Sequence, residues 1–468
     1  MKRTIPFLAA AVVVATAAGC TMIPSYHRPK APVPEAWPTG PAYPKAQAAA
    51  TDVSKLKWQD FFTDKNLKEI IGTALANNRD LRIAALNVKE ARANYQLQRA
   101  ELLPVIDATA GVGRQSYSSR NSSTGARYTY STYSSGLNLA SWELDFFGRL
   151  RSLKGKALES YLASEEGRRG AQVTLIASIA NAYLTLAADR ENLKLAQTTV
   201  EAQQHSYELV KKRYDLGLAQ ELDLYQAQTP VDTARREVFA YTQQVAQDEN
   251  ALALLVGAPV PARLLPSNLD GVSQPKEIAS GIRSEVLLTR PDVLQAEHQL
   301  KAANANIGAA RAAFFPSINL TSALGLASGD LAGLFKAGGD VWSFGPQASI
   351  PIFDARTLPA LRITQADREI TVAQYEKAIQ SAFKEVADAL AVRGTMGQQV
   401  KEQQSLVNAL SATYRLSNSR YQQGIDDFLN VLDAQRSLFA GQQVLVTLRL
   451  AKLTNQVKLY SVLGGGAE

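Results

Sequence analysis

The sequence predicts a mainly α-helical chain that lends four β-strands to a membrane barrel, and three observations carry that prediction. The first is a tandem repeat: "RYDLGLAQELDLYQAQ" from Arg213 returns as "RYQQGIDDFLNVLDAQ" from Arg420, with six letters identical at an offset of 207. At an offset of 212, Arg79 to Gly113 and Pro291 to Gly325 share twelve of thirty-five residues, among them Asp80/Asp292, Ala91/Ala303, Arg99/Arg311, Pro104/Pro316 and Gly113/Gly325. The second is that each copy sets one short alternating segment, rich in Ser, Gly and aromatics, between long proline-poor helical runs. The third is that no stretch of about 18 apolar residues follows Cys20. A membrane crossing must then use strands, because only helices and closed barrels satisfy every backbone polar group in lipid.

Taken in order, residues 1–19 join a basic start to an apolar run from Ile5 to Ala18 and end in small residues, the pattern of an export signal. Ala-Ala-Gly before the only cysteine resembles a bacterial lipobox. Cys20 is therefore the expected site of lipidation and first residue of the mature chain, and in that resemblance Thr21 favours the outer membrane. Residues 20–65 form an extended segment and equatorial region, with Pro24, Pro29, Pro32, Pro34, Pro38, Pro41 and Pro44.

The first repeat is expected over 66–257. Leu67, Ile70, Ile71, Ala74, Leu75, Leu86, Val88 and Ala93 recur at helical spacing, which predicts one helix from Asn66 to Ala100, stopped near Pro104. Residues 104–148 read as a β-hairpin with a polar tip. Val105, Asp107 and Thr109 alternate on one side of it, and Tyr128, Tyr130 and Thr132 on the other. Tyr117, Tyr128, Tyr130, Tyr133, Trp142, Phe146 and Phe147 lie at its two ends, where a membrane barrel carries aromatic belts. A helix follows from Leu153 to about Leu216, roughly 96 Å long at 1.5 Å per residue. Its stripe of Ile176, Ile179, Ala180, Tyr183, Leu184 and Ala187 calls for packing against similar helices. A second run goes from Leu222 to Val256, and Pro230 inside it predicts a kink.

An equatorial linker over 258–290 leads to the second repeat, 291–462. It comprises a helix, a hairpin over 316–353 with its tip from Gly329 to Gly339, a helical run from Arg362 to Tyr421, and another from about Phe428 to Val462. Residues 463–468 are a tail. Gly217 and Gly424 fall at the same point of the two copies, the turn between long helices, where glycine serves a helix C-terminus. Two hairpins give four strands, which cannot close, and an open edge is forbidden in lipid. Three chains give twelve strands, an even number within the range of membrane barrels.

These features, with "WELDFFGRLRS" from Trp142, "RPDVLQAEHQLKAANANIGAARAAFFPSI" from Arg290, "IPIFDA" from Ile350 and "DFLNVLDAQRSLF" from Asp427, resemble the TolC/OprM/NodT family of bacterial outer-membrane efflux proteins. The resemblance covers nearly the whole chain from Cys20 to Gly466 and is greatest to the lipidated outlet subunits of RND-type multidrug pumps. It implies a TolC-like trimeric channel-tunnel: a 12-stranded barrel continued by a long α-helical periplasmic barrel. Such a homotrimer receives drugs from an inner-membrane RND transporter through a periplasmic membrane-fusion adaptor. The family's constriction falls on Leu429 and Asp433, with Arg436 one turn further. Asp223 and Tyr421 take positions whose counterparts tie neighbouring helices and hold the tip shut. Asn430 stands where some relatives carry a second acid.

The chemistry of that constriction can be stated from the residues alone. Three copies of Asp433 round a narrow axis repel more strongly as the dielectric falls. Arg436, at i+3 on a helix, is within reach to compensate, and Leu429 one turn earlier adds an apolar plug. The alternative for Asp433 and Arg436 is a solvated surface pair.

Other chemistry is thin. The net charge of +7, or +5 without Lys2 and Arg3, is too small and scattered to argue for nucleic acid. His27, His205 and His298 lack metal-ligand spacing, and His298 reads as a surface or interface residue. "GLASGDLAG" has no Gly-Lys-Ser/Thr phosphate loop. Neither a nucleophile–base set nor a cofactor motif emerges, so the expectation is a passive conduit and not an enzyme. Three methionines offer no soft-metal path, which disfavours copper or silver cargo. Two other readings stay open, an outlet for type I protein secretion and a non-channel trimeric coiled-coil surface lipoprotein.

Overall fold

The computed structural model describes residues 21–43, 56–123, 125–278 and 284–467. Its helices are α1 (Trp58–Phe61), α2 (Lys65–Asn77), α3 (Arg79–Ala100), α4 (Arg149–Asp215), α5 (Glu221–Val256), α6 (Pro291–Ala312), α7 (Thr357–Gln422) and α8 (Phe428–Val462). The strands are β1 (Ile106–Tyr117), β2 (Tyr128–Glu143), β3 (Ser317–Ser328) and β4 (Asp340–Ser349). The order α3-β1-β2-α4-α5 thus returns as α6-β3-β4-α7-α8. Two compact units are each assembled from parts of both copies.

The first unit takes the described residues up to 30 together with 87–164 and 296–375. It holds one antiparallel sheet of order β1-β2-β3-β4, so β1 and β4 are free edges. Register runs from Ile106 opposite Leu139 to Tyr117 opposite Tyr128, and from Ser317 opposite Ser349 to Leu326 opposite Asp340. Where β2 meets β3, Gly136 faces Gly325. A Cβ on Gly325 would lie 2.3 Å from the Ser135 carbonyl oxygen, so these backbones approach as only glycine allows. A bulge between Leu139 and Trp142 re-aims the end of β2. Both faces of β1 and β4 are exposed in the single chain.

The predicted aromatics separate to the two ends of the first hairpin. Tyr117, Tyr128 and Tyr130 stack at its tip, while at its base Trp142 donates to the Leu102 carbonyl and Phe147 stacks on Phe315. Asp145 accepts from the backbone N–H groups of Leu150 and Arg151, which satisfies the start of α4. The segment after Thr21 is tied down as well. Arg28 makes a two-pronged ion pair with Glu297, which is 3% exposed and is also met by Tyr26 and Lys301. His298, expected at the surface or an interface, is half-buried, its Nδ1 2.6 Å from Glu159 Oε2.

The second unit comprises 31–86, 165–295 and 376–468. The stripe predicted on α4 is its core: Ile176, Ile179, Ala180, Tyr183, Leu184 and Ala187 are all at most 1% exposed. One window of α4 is long and apolar enough to cross a bilayer, but 56% of it is buried inside the protein, so its apolar character is packing. Tyr460 stacks on Phe61 at 4.0 Å between centroids and donates to the Leu56 carbonyl.

The single helix predicted over 66–100 is in fact two. Asn78 turns extended between α2 and α3 (φ −62°, ψ 133°). Its Oδ1 accepts from the Leu81 N–H and its Nδ2 donates to the Leu255 carbonyl. A side chain that caps α3 and also reaches α5 makes a break where helical periodicity alone shows none. Pro230 sits inside α5, which continues through it.

Candidate functional site

The two helix turns fold identically because their local sequences demand it. In the first, the Leu218 N–H donates to the Arg213 carbonyl and the Gly217 N–H to that of Tyr214; in the second, Ile425 and Gly424 donate to Arg420 and Tyr421. This paired bonding is the Schellman ending of a helix, and it requires a left-handed residue. Gly217 (φ +68°) and Gly424 (φ +74°) supply it.

Between the turns lies a small core. Val210, Ala227, Phe428 and Val431 are buried, and Tyr207, Tyr414, Tyr421 and Leu432 pack against them. Burial raises the Tyr414 phenol above its ordinary range. Tyr421 leans on Phe428 at 5.0 Å and accepts a 3.2 Å hydrogen bond from Arg213, whose guanidinium lies 5.4 Å from the ring centre. Arg420, the counterpart of Arg213, instead makes a two-pronged ion pair with Asp426. Those bonds hold the Asp426 carboxyl below its usual range. The first copy has Ala219 in place of Asp426, so Arg213 has no such local acid and reaches across. The sequence reading missed this division of labour. The Ala219/Asp426 difference was the available signal.

Arg436 donates to Asp433 Oδ1 at 2.6 Å, with the two side chains 81% and 60% exposed. Leu429, one turn earlier, is 56% exposed. All three line one cavity of about 440 Å³ with Gln203, Pro230 and Phe439. The Asp223 Oδ2 accepts from the Gln220 N–H, which caps its own helix α5. Within the chain Tyr421 meets Arg213 of the other copy. Cys20 lies outside the described residues. Among the described residues no group of three or more His, Cys, Asp or Glu is placed to hold a metal ion.

An open sheet of four strands built by a duplicated pair of hairpins, followed in each copy by long helices joined at one exposed turn, defines an outer-membrane channel of the TolC type. The family described as outer membrane efflux protein matches residues 70–258 and 282–465, one stretch per repeat, and the chain belongs to that family. It is 47% identical over 461 residues to the antibiotic efflux pump outer membrane protein ArpC of Pseudomonas putida, covering 98% of this chain and 95% of the relative. It is 41% identical to the cation efflux system protein CusC of Escherichia coli, covering 96% of each. Among solved structures, the open state of the Neisseria gonorrhoeae MtrE outer membrane channel superposes with a TM-score of 0.86 at 36% identity, covering 96% of this chain and 99% of that one. The protein is the outer-membrane channel subunit of a tripartite efflux system, located in the bacterial outer membrane.

Proposed function

We propose that three copies of this chain close their sheets into one 12-stranded barrel and that the paired turns form its periplasmic gate. The observation that carries this reading is the pair of free edges, β1 and β4, on strands of 12 and 10 residues. Such strands match the ~9–11 residues that a tilted membrane strand needs, and an unpaired edge cannot remain in lipid. Closure by β1 of one chain against β4 of the next satisfies every edge.

At the gate, three Asp433 carboxylates converge, each compensated by its own Arg436, with Leu429 as the apolar plug. Asp223 and Gly217 fix the first turn, Gly424 the second, and the Arg213–Tyr421 contact locks one turn to the other. Energy comes from elsewhere: an inner-membrane RND transporter delivers cargo through a periplasmic membrane-fusion adaptor. Similarity to an antibiotic efflux subunit at 47% identity, against 41% for a cation efflux protein, favours antibiotics and other small toxic organic compounds as cargo. Lipidation at Cys20 anchors the mature N-terminus to the outer membrane.

Planar-bilayer recording of the purified protein tests the reading. A trimeric channel gives small, discrete, mostly closed conductance. A protein that is trimeric but never conducts would instead be the coiled-coil surface lipoprotein. Deletion should sensitise cells to several unrelated antibiotics, and unchanged susceptibility with the partner pump expressed would sink the drug-efflux role. Export of a polypeptide by a neighbouring ATP-driven exporter would move the protein to type I secretion.

A further inference from the structure

Matched positions of the two repeats give one backbone two chemical contents. In the first copy α4 and α5 carry Leu186, Asp189, Val245 and Asp248; at the offset of 207, α7 and α8 carry Arg393, Met396, Lys452 and Asn455. The first-copy location is filled: Leu186 is fully buried and Asp248 is 9% exposed. Its second-copy counterpart is hollow, a cavity of about 240 Å³ lined by those four residues and by Lys276, Glu277 and Ile278. One water needs only ~10–15 Å³ by the same measure.

The cavity gathers three cations from three chain segments: Lys276 before α6, Arg393 on α7 and Lys452 on α8. Among the described residues, none of the ion pairs engages any of them. Arg393 donates from Nη1 to the Ile278 carbonyl, which anchors one end of its guanidinium. Among the described residues Glu277 is the one carboxylate in the lining, so these side chains hold an excess of two positive charges. Like charges gathered in a cavity repel. The fold does not require them, because Leu186 and Val245 serve the same backbone positions in the first copy.

We propose that this cavity binds a small dianionic oxyanion of the phosphate class. Two negative charges neutralise the excess, the guanidinium presents a fork that suits two oxygens of one anion, and the two lysines close on it as point charges. The bound anion joins the 276–278 segment to α7 and α8 and so pins the linker between the repeats onto the second copy. Binding stabilises the fold by mass action and weakens with added salt.

Isothermal titration of inorganic phosphate into the full-length protein in detergent, at pH 7.5 and low ionic strength, tests this. The expected result is one saturable site per chain and a melting temperature that rises with phosphate. Arg393→Leu and Lys452→Val install the residues of the first copy, so each should fold, and each should weaken phosphate binding at least tenfold. Absence of saturable binding to the wild type, or unchanged affinity in both folded variants, overturns the proposal. Since the readout is binding and not conductance, either result leaves the gate reading standing.

Discussion

Arg213 Nη1 lies 3.2 Å from the hydroxyl of Tyr421 and donates to it, with the guanidinium over the same ring. The two residues come from different copies of the duplication, so this contact fastens the first turn to the second. Its partners are unequal in sequence terms: Tyr421 is a gate position only as the resemblance implies, whereas Arg213 looked only like the opening letter of a repeated phrase.

Loss of that contact should loosen the tip. Arg213→Ala removes both the hydrogen bond and the ring contact, together about 1–2 kcal/mol, and should raise open probability in planar bilayers by roughly tenfold. Tyr421→Phe keeps the ring and should show a smaller rise. Equal effects from the two variants would mean that the ring contact contributes nothing.

At the proposed constriction, Asp433→Ala and Leu429→Ala should each raise basal single-channel conductance, by removing charge or bulk. Arg436→Ala should do the opposite of a simple widening. It leaves three uncompensated carboxylates, so cation selectivity, read from reversal potentials in a salt gradient, should rise. Wild-type currents in all three variants would move the constriction to other residues.

Gly217→Ala and Gly424→Ala test the turns through backbone energetics alone. A Cβ at either site meets nothing within 4 Å, so only the left-handed φ is strained, at about 1–2 kcal/mol per site. Thermal unfolding should show a small and similar loss in both. A large loss at one site alone would reveal a contact made on assembly.

The half-buried Asp189 and the buried Asp248 beside it give a pH dependence. Burial, together with Asp248 beside it, raises the Asp189 carboxyl from 3.8 to about 6. Between those values the folded chain binds more protons than the unfolded one, so stability falls as pH rises from about 4 to about 6 and is level above. Asp189→Asn should remove that slope and stabilise the protein at pH 7 by about 1 kcal/mol, a two-unit shift discounted for a half-exposed group. Asp248 Oδ2, buried without a partner, would gain an amide donor. Chemical denaturation at pH 4, 5, 6 and 7 measures this, and a slope unchanged in the variant would count against the pairing.

Local pattern fixed the order of helices and hairpins, because hydrophobic period and glycine placement act over a few residues and need no knowledge of distant chain. The duplication likewise lay open to reading, as did the reach of Arg436 to Asp433, since i+3 spacing on a helix is a local distance. Partner choice was another matter. Asn78 breaks a periodic run because the Leu255 carbonyl, 177 residues away, accepts its amide. Within the single chain Asp223 accepts from the Gln220 N–H at the start of its own helix. Arg213 and Arg420 are the same letter in the same phrase, yet one finds Tyr421 and the other Asp426. Which acceptor a guanidinium meets depends on which segments packing brings within about 3 Å, and that is settled by the assembled core around Val210, Phe428 and Val431, not by the spacing of residues along the chain.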